Sequence, residues 1–166
     1  MKSLGLGKID GMEIQNAKLS SRNAAYAEFL YGRLQRQGSL QRDCQRLVNQ
    51  DRNIFAACMV ATGDADAMVT GLTRRFSTCF RDVSRVFDPV PGQQVFGLTI
   101  HTTSNHTLFV ADTSVHERPT PEVMVEIAKQ SAAKARQMGH EPRVAFLSYS
   151  NFGNPPVDYT ERSREA

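Results

Sequence analysis

The chain has 166 residues, which is enough for one large domain or two small lobes around a real hydrophobic core. Apolar residues make up 40% of it and charged residues 22%, as in ordinary globular proteins. The formal net charge is only +3 and the arginines are scattered, which disfavours a nucleic-acid-binding surface. No apolar run reaches the roughly 20 residues needed to span a bilayer, and the first residues lack a signal-peptide segment. We therefore expect a cytoplasmic protein without membrane or nucleic-acid partners.

The spacing of the cysteines and histidines predicts neither a metal site nor a catalytic centre. The cysteines, at positions 44, 58 and 79, lie far apart, so we expect reduced thiols and core packing. The histidines, at positions 101, 106, 116 and 140, have no serine or cysteine at a spacing that suggests a triad.

The first part of the chain has the pattern of a linker, a short strand and three helices. Residues 1–11 are glycine-rich, and residues 12–18 alternate apolar and polar side chains as a strand does. The predicted helix caps are Ser20-Ser21, Ser39 and Asp51, and the predicted helix ends are Gly38 and Gly63. The predicted inward faces hold Tyr26, Phe29, Leu30 and Leu34, then Leu40, Cys44, Leu47 and Val48, then Ile54, Phe55, Cys58, Met59 and Val60.

A strand that ends in a glycine turn then precedes an arginine-rich helix start. The strand is predicted at residues 67–70, it breaks at Gly71, and the helix is predicted at residues 77–87. Backbone N–H groups at a helix start are unpaired and the helix dipole is positive there, so hydroxyl and guanidinium groups beside it favour an anion site. The predicted ligands are Arg74, Arg75, Ser77, Thr78 and Arg81. The alternative is an ordinary loop with solvated arginines.

The prolines and glycine of residues 88–92 predict a boundary between a first lobe at residues 12–90 and a second lobe at residues 91–166. The predicted elements of the second lobe are a hairpin of strands at residues 95–101 and 107–111, a helix at 121–138 capped by Thr120, a strand at 144–147 and the first turns of a helix at 160–166. The continuously apolar strand at 107–111 is predicted to be buried on both faces.

Polar groups follow several of these strands. In an open α/β sheet, ligands bind beyond the carboxyl ends of the strands. We therefore expect Asp112, Ser148, Ser150 and Asn151 to join the arginines in one cleft. Each of them is equally typical of turns, and for Asp112 the turn is the favoured interpretation.

Three segments of the chain resemble the phosphate acetyl/butyryl transferase family. They are GDADAMVTG, FVADTSVHERPTPEVMVEIA and EPRVAFLSYSNFG. The segments RLVNQDRNIFAACMVATGDADAMVTG and SYSNFG further resemble the phosphotransacetylase-like C-terminal region of large bacterial NADP-dependent malic enzymes. The resemblance covers nearly the whole chain from about Met12.

The resemblance implies a three-layer α/β/α fold with two lobes, like that of isocitrate and isopropylmalate dehydrogenases, in a partial, truncated version. It also implies coenzyme A and acetyl phosphate as ligands of the cleft between the lobes. In the malic enzymes this region is attached to the malate-oxidising part, which uses NADP and a divalent metal. There the region acts as an acetyl-CoA-responsive regulatory and oligomerisation module, so we expect a homodimer or higher homo-oligomer and no cofactor in this region.

The transferases' functional residues match this sequence only in part. Arg81 stands where they have a substrate-binding arginine, but Leu34 stands near the position of a second functional arginine. Their His-Ser-Thr tract is replaced by Arg74, Arg75 and Phe76, and the segment with a further catalytic aspartate is absent. Because one lost arginine clamp costs about 2–4 kcal/mol of transition-state stabilisation, we expect no catalytic residues here.

Three functions stay open at this stage. The chain is a regulatory domain that binds acetyl-CoA, an active phosphate acetyltransferase or butyryltransferase, or an oligomerisation module without a ligand. The sequence does not decide which acyl-CoA would bind, or whether binding would raise or lower the activity of a parent enzyme.

Overall fold

The computed structural model describes residue 11, residues 13–148 and residues 157–166, as two compact units. One unit reaches to Asp88 and the other begins at Pro89. The predicted assignment of these units as two lobes around a shared cleft stays a prediction. The predicted linker at residues 1–11 lies almost wholly outside the described residues.

The first unit is a layer of helices around one hydrophobic core. Its elements are α1 (Asn23–Leu34), a 3-10 helix (Gln35–Gln37), α2 (Gln41–Gln50), α3 (Arg52–Ala61) and α4 (Phe76–Ser84). The core consists of Tyr26, Ala27, Leu30, Leu34, Cys44, Val48, Ile54, Phe55, Ala57, Cys58 and Val86. The rings of Tyr26 and Phe55 meet edge to face with their centroids 5.2 Å apart. Most of the predicted apolar residues of the three helices therefore form this core or pack against it, whereas Leu40 is exposed and Val60 does not belong to it.

The ends of these helices follow the predicted capping chemistry in part. Asp51 Oδ1 accepts hydrogen bonds from the backbone N–H of Asn53 at 2.8 Å and of Ile54 at 3.3 Å, so its predicted capping role is confirmed. Gly38 ends the 3-10 helix in the left-handed conformation, with φ of 87°. The prediction for Ser39 is wrong, because Leu40 occupies the cap position of α2 and no side chain caps it.

Two predicted strands do not form in this unit. Residues 13–16 and 67–70 have no regular secondary structure, although their side chains alternate or run apolar as expected. Within the described residues no neighbouring strand pairs with either segment, and a strand requires such a partner for its backbone hydrogen bonds. Val69 is consequently fully exposed.

The second unit contains an antiparallel hairpin. It comprises β1 (Leu98–Thr102) and β2 (Thr107–Ala111), with Ile100 opposite Phe109. The predicted hairpin is confirmed, but β1 begins three residues later than the predicted start at Val95. The prediction that β2 is buried on both faces is wrong, because β1 is its sole partner among the described residues and Leu108 is 54% exposed.

Two helices complete the second unit. They are α5 (Pro121–Gln137) and α6 (Asp158–Glu165). Thr120 Oγ1 accepts a hydrogen bond from the backbone N–H of Val123 at 3.4 Å, as predicted for a cap. The strand predicted at residues 144–147 does not form, again for want of a paired neighbour in the described part of the chain.

The described residues thus combine helices with a small sheet, as an α/β protein does. Within them, no helix has both the length and the apolar character needed to cross a membrane.

Candidate functional site

The loop between α3 and α4 carries the predicted ligands Arg74 and Arg75, and Asp64 holds its start in place. This carboxylate accepts hydrogen bonds from Arg22 Nε at 2.8 Å, from the Tyr26 hydroxyl at 2.6 Å and from the Thr62 hydroxyl at 3.1 Å. The hydrogen bonds from Tyr26 and Arg22 lower the pKa of Asp64. The Gly63-Asp64 turn is therefore tied to α1, which fixes where the loop begins.

Arg74 forms ion pairs with two carboxylates of its own unit. Its Nη1 lies 2.6 Å from Asp51 Oδ2 and 3.2 Å from Asp82 Oδ2. The Asp82 side chain is only 4% exposed. Burial acts to raise the pKa of Asp51, but the Arg74 hydrogen bond and those from two backbone N–H groups outweigh it, so this pKa is lowered. The Arg74 guanidinium is thus already neutralised within the protein.

A buried amide extends this ion-pair cluster to the strand-like segment. The Asn53 side chain, on a residue that is 1% exposed, donates to Asp82 Oδ2 at 3.2 Å and accepts from the Thr70 hydroxyl at 2.5 Å. Sequence reasoning missed the roles of Asn53 and Asp82. The signal for Asp82 was present, because it lies three residues after Cys79 and four before Val86 on the buried face of the same helical segment.

Four other predicted ligands belong to α4, three of them at its start and Arg81 in its last turn. Arg75 occupies the cap position and is exposed, while Ser77 is exposed and Thr78 half-buried in the first turn. Within residues 13–148 and 157–166, no acceptor meets the backbone N–H of Phe76 or Ser77. The Arg81 side chain is 66% exposed, and its Nε lies 3.9 Å from Asp82 Oδ1. The helix start therefore presents unpaired donors and the exposed Arg75 guanidinium, and the exposed Arg81 guanidinium lies in the last turn of the same helix.

Asp112, in the second unit, directs its carboxylate into its own turn. Oδ1 accepts from the backbone N–H groups of Gly97 at 2.8 Å, Ser114 at 2.9 Å and Val115 at 3.1 Å. Oδ2 accepts from the N–H of His116 at 2.8 Å and lies 2.7 Å from its Nδ1. Burial acts to raise the pKa of Asp112, but these hydrogen bonds outweigh it and hold the pKa well below its usual range. The carboxylate acts as the organiser of a turn, which is the interpretation favoured from the sequence.

The remaining predicted ligands follow the segment at residues 144–147. Ser148 is exposed, and Ser150 and Asn151 lie outside the described residues. Ser148 and Asp112 belong to a different unit from the α4 residues, so the expected convergence of the two sets stays a prediction. Among the described residues, no group of three or more His, Cys, Asp or Glu side chains has a geometry that could hold a metal ion.

Comparison with known proteins relates this chain to one family, and its relatives include malic enzymes and phosphate acetyltransferases. The family model described as phosphate acetyl/butaryl transferase matches residues 2–166. An NADP-dependent malic enzyme from Rhizobium meliloti is 55% identical over 94% of this chain, and a probable NADP-dependent malic enzyme from Rickettsia prowazekii is 44% identical over the same share. A phosphate acetyltransferase from Nitrosomonas europaea is 32% identical over 70% of the chain and 17% of its own length.

These comparisons cover only part of each relative. The chain spans 20% of the length of the two malic enzymes. A solved structure, the EutD phosphotransacetylase from Staphylococcus aureus, matches with a TM-score of 0.80 at 25% identity, over 99% of this chain and 49% of that one.

Proposed function

Because the chain belongs to the phosphate acetyl/butaryl transferase family, we propose that it is the phosphotransacetylase-like regulatory and oligomerisation domain of an NADP-dependent malic enzyme. In this proposal it binds acetyl-CoA as an effector and does not catalyse acyl transfer. The parent enzyme would oxidatively decarboxylate malate to pyruvate, with NADP and a divalent metal in its catalytic part. The observation that carries the proposal is the 55% and 44% identity to malic enzymes across 94% of the chain.

The start of α4 supports the binding of a polyanion. Arg75 and Arg81 are exposed, and Arg75 has no acidic partner among the described residues. The unpaired N–H groups of Phe76 and Ser77 lie in the first turn beside Arg75, and Arg81 lies in the last turn of this short helix. Guanidinium groups and helix-start N–H groups bind phosphate oxygens well, and the coenzyme A moiety carries several of them. Arg74 would contribute mainly by holding the loop, since two carboxylates already neutralise it.

The surroundings of Leu34 support the absence of catalysis. Leu34 is 5% exposed and belongs to the hydrophobic core, so no cation reaches the substrate from that position. Of the flanking arginines, Arg33 Nη2 pairs with Asp88 at 2.9 Å, while Arg36 lies exposed in the 3-10 helix. A phosphoryl group would therefore lack the second clamp that its transfer requires.

The proposal includes a wider architecture. The two units would be parts of a three-layer, two-lobed fold of the isocitrate/isopropylmalate dehydrogenase type, with acetyl-CoA between them. The protein would be cytoplasmic and would form a homodimer or higher homo-oligomer. Ser148, Ser150 and Asn151 would contribute ligand contacts from the second unit, whereas the Asp112 carboxylate is already occupied by its own turn.

Calorimetric titration with acetyl-CoA tests the binding. We expect saturable binding that Arg81→Gln weakens by about tenfold, because a charge-assisted phosphate contact is lost. Arg42→Gln is the matched control, since Arg42 is an exposed arginine of α2 in the same unit. A folded chain that gives no heat up to millimolar acetyl-CoA would contradict the proposal.

The alternative function is phosphate acetyltransferase activity, which the relatives of that name favour. A coupled assay that follows acetyl phosphate formation from acetyl-CoA and phosphate separates the two. We expect no turnover above the background without protein, and clear turnover would favour the transferase.

A further inference from the structure

A hollow of about 290 Å³ lies beside α3 in the first unit. Its lining consists of Arg52, Asn53, Ala56, Met68, Val69, Thr70 and Gly71. None of these residues belongs to the predicted ligand set at the start of α4. Since pockets for drug-sized ligands measure about 300–1,000 Å³, this hollow suits a small molecule.

Arg52 supplies the hollow with a cation that no carboxylate neutralises among the described residues. Its Nη2 donates to the Thr73 hydroxyl, and Arg52 is otherwise exposed. A guanidinium group carries five N–H donors, so most of them remain available to a ligand. Arg74 differs in this respect, because it is shared by two carboxylates. The electrostatics of the hollow therefore favour an anion.

Gly71 adds a backbone donor to the same wall. No acceptor within residues 13–148 or 157–166 meets its N–H. Its φ is +124°, and no atom lies within 4 Å of the position that a Cβ would take. A ligand can therefore approach the backbone closely at this residue.

The other walls are apolar or already hydrogen-bonded. Ala56 and Met68 offer half-buried aliphatic surface, and the fully exposed Val69 stands at the rim. Asn53 and Thr70 are bonded to each other at 2.5 Å, and Asn53 also bonds Asp82, so these polar groups do not require a ligand. A ligand would therefore place a charged head at Arg52 and Gly71 and a short aliphatic part against the remaining walls.

We propose that this hollow is a binding site for small carboxylates with a short aliphatic chain. A carboxylate matches the planar guanidinium through paired N–H···O bonds, and burial of each added CH₂ strengthens binding. Its lining residues differ from the predicted ligands of the acetyl-CoA site proposed above, and the proposal does not rest on that site.

An NMR titration of the full chain, labelled with ¹⁵N, tests this site with formate, propanoate, pentanoate and inorganic phosphate at constant ionic strength. We expect binding to strengthen from formate to pentanoate, with the Gly71 amide among the signals that shift most. Arg52→Gln should weaken pentanoate binding by about tenfold through loss of the charge-assisted pair, whereas Arg42→Gln should leave it unchanged. Ala56→Leu should block binding while the Arg52 charge stays in place.

Three results would overturn the proposal. They are no shift at tens of millimolar pentanoate in a folded chain, equal affinity for phosphate and pentanoate, and unchanged binding in Arg52→Gln. Acetyl-CoA binding measured on the same samples keeps the two sites distinguishable, since either can fail while the other holds.

Discussion

Asp112 shows what a single buried carboxylate contributes to this protein. Its side chain is 3% exposed, yet it accepts hydrogen bonds from four backbone N–H groups and contacts the His116 ring. Those N–H groups belong to the start of the hairpin and to the turn after β2. The negative charge therefore joins two segments that are distant in sequence.

Asp112→Asn should destabilise the second unit by about 1–3 kcal/mol, because the amide NH₂ faces the His116 donors instead of an acceptor. The lowered pKa of Asp112 adds a pH dependence. Its stabilising contribution is complete above the unfolded pKa of about 4 and is lost as pH falls toward the folded pKa. Urea unfolding from pH 7 to pH 2 measures this. The wild type should lose stability more steeply below pH 4 than the variant, and Asp66→Asn, at an exposed position, should behave as wild type.

Among the residues that the structure describes, Leu72 is the non-glycine residue with a positive φ, which is 61°. Its side chain is fully exposed. Leu72→Asn should raise the free energy of unfolding by about 0.5–1 kcal/mol, because asparagine tolerates the left-handed conformation better and no contact is lost. Thermal unfolding checks this. Leu19→Asn, which also replaces an exposed leucine, should change little, and a destabilised Leu72→Asn would contradict the explanation.

At the scale of elements, the Arg74 cluster joins α3, the following loop and α4. Asp51 caps α3, Arg74 ends the loop, and Asp82 lies on the buried side of α4. One guanidinium therefore holds the ends of two helices together. The loop between them, which carries Thr70 and Gly71, is held to α3 through Asn53.

Arg74→Gln should destabilise the first unit by about 2–4 kcal/mol, because the Asp82 carboxylate would stay buried without its cation. The double variant with Asp82→Asn should recover part of this loss, which a double-mutant cycle of unfolding free energies would measure. Arg75→Gln replaces the neighbouring exposed arginine and should have little effect. If the effects of Arg74→Gln and Asp82→Asn on the unfolding free energy simply add, the two side chains do not stabilise each other and the explanation is wrong.

The sequence predicts elements that depend on neighbouring residues better than those that depend on distant ones. Asp51 and Thr120 cap helices through N–H groups two or three residues away, so local pattern is sufficient. The segments at 67–70 and 144–147 need partner strands, which the described part of the chain does not provide. The sequence identifies Arg74 as a candidate ligand. Its partner Asp51 lies 23 residues away, so the local pattern does not reveal that this carboxylate neutralises the Arg74 charge.

At the scale of the whole molecule, the three cysteines are free thiols and all of them are buried. Cys44 and Cys58 lie in the core of the first unit, and Cys79 is buried on α4. Burial is the main cause that raises the pKa of Cys58 to about 12, so its thiol is neutral at physiological pH. A neutral, buried thiol is a poor nucleophile.

Reaction of the native chain with a disulfide reagent at pH 8 should therefore be slow for all three thiols and should accelerate only as urea unfolds the protein. Absorbance of the released thiolate, compared with circular dichroism at the same urea concentrations, measures this. The fully unfolded chain is the control for complete reaction. Rapid labelling of the Cys58 thiol in the native protein would contradict the described packing.

The space around Gly97 restricts which residues can occupy position 97, just before the hairpin. A Cβ at this position would lie 2.8 Å from Thr113 Oγ1, 3.0 Å from the Ser114 nitrogen and 3.1 Å from Asp112 Oδ1. Even alanine would therefore force the Thr113 side chain to shift and would crowd the Asp112 carboxylate that accepts from its own N–H. In a saturation library selected for folded protein, we expect position 97 to return mostly glycine, and alanine to become more frequent when Thr113 is replaced by a residue without the hydroxyl.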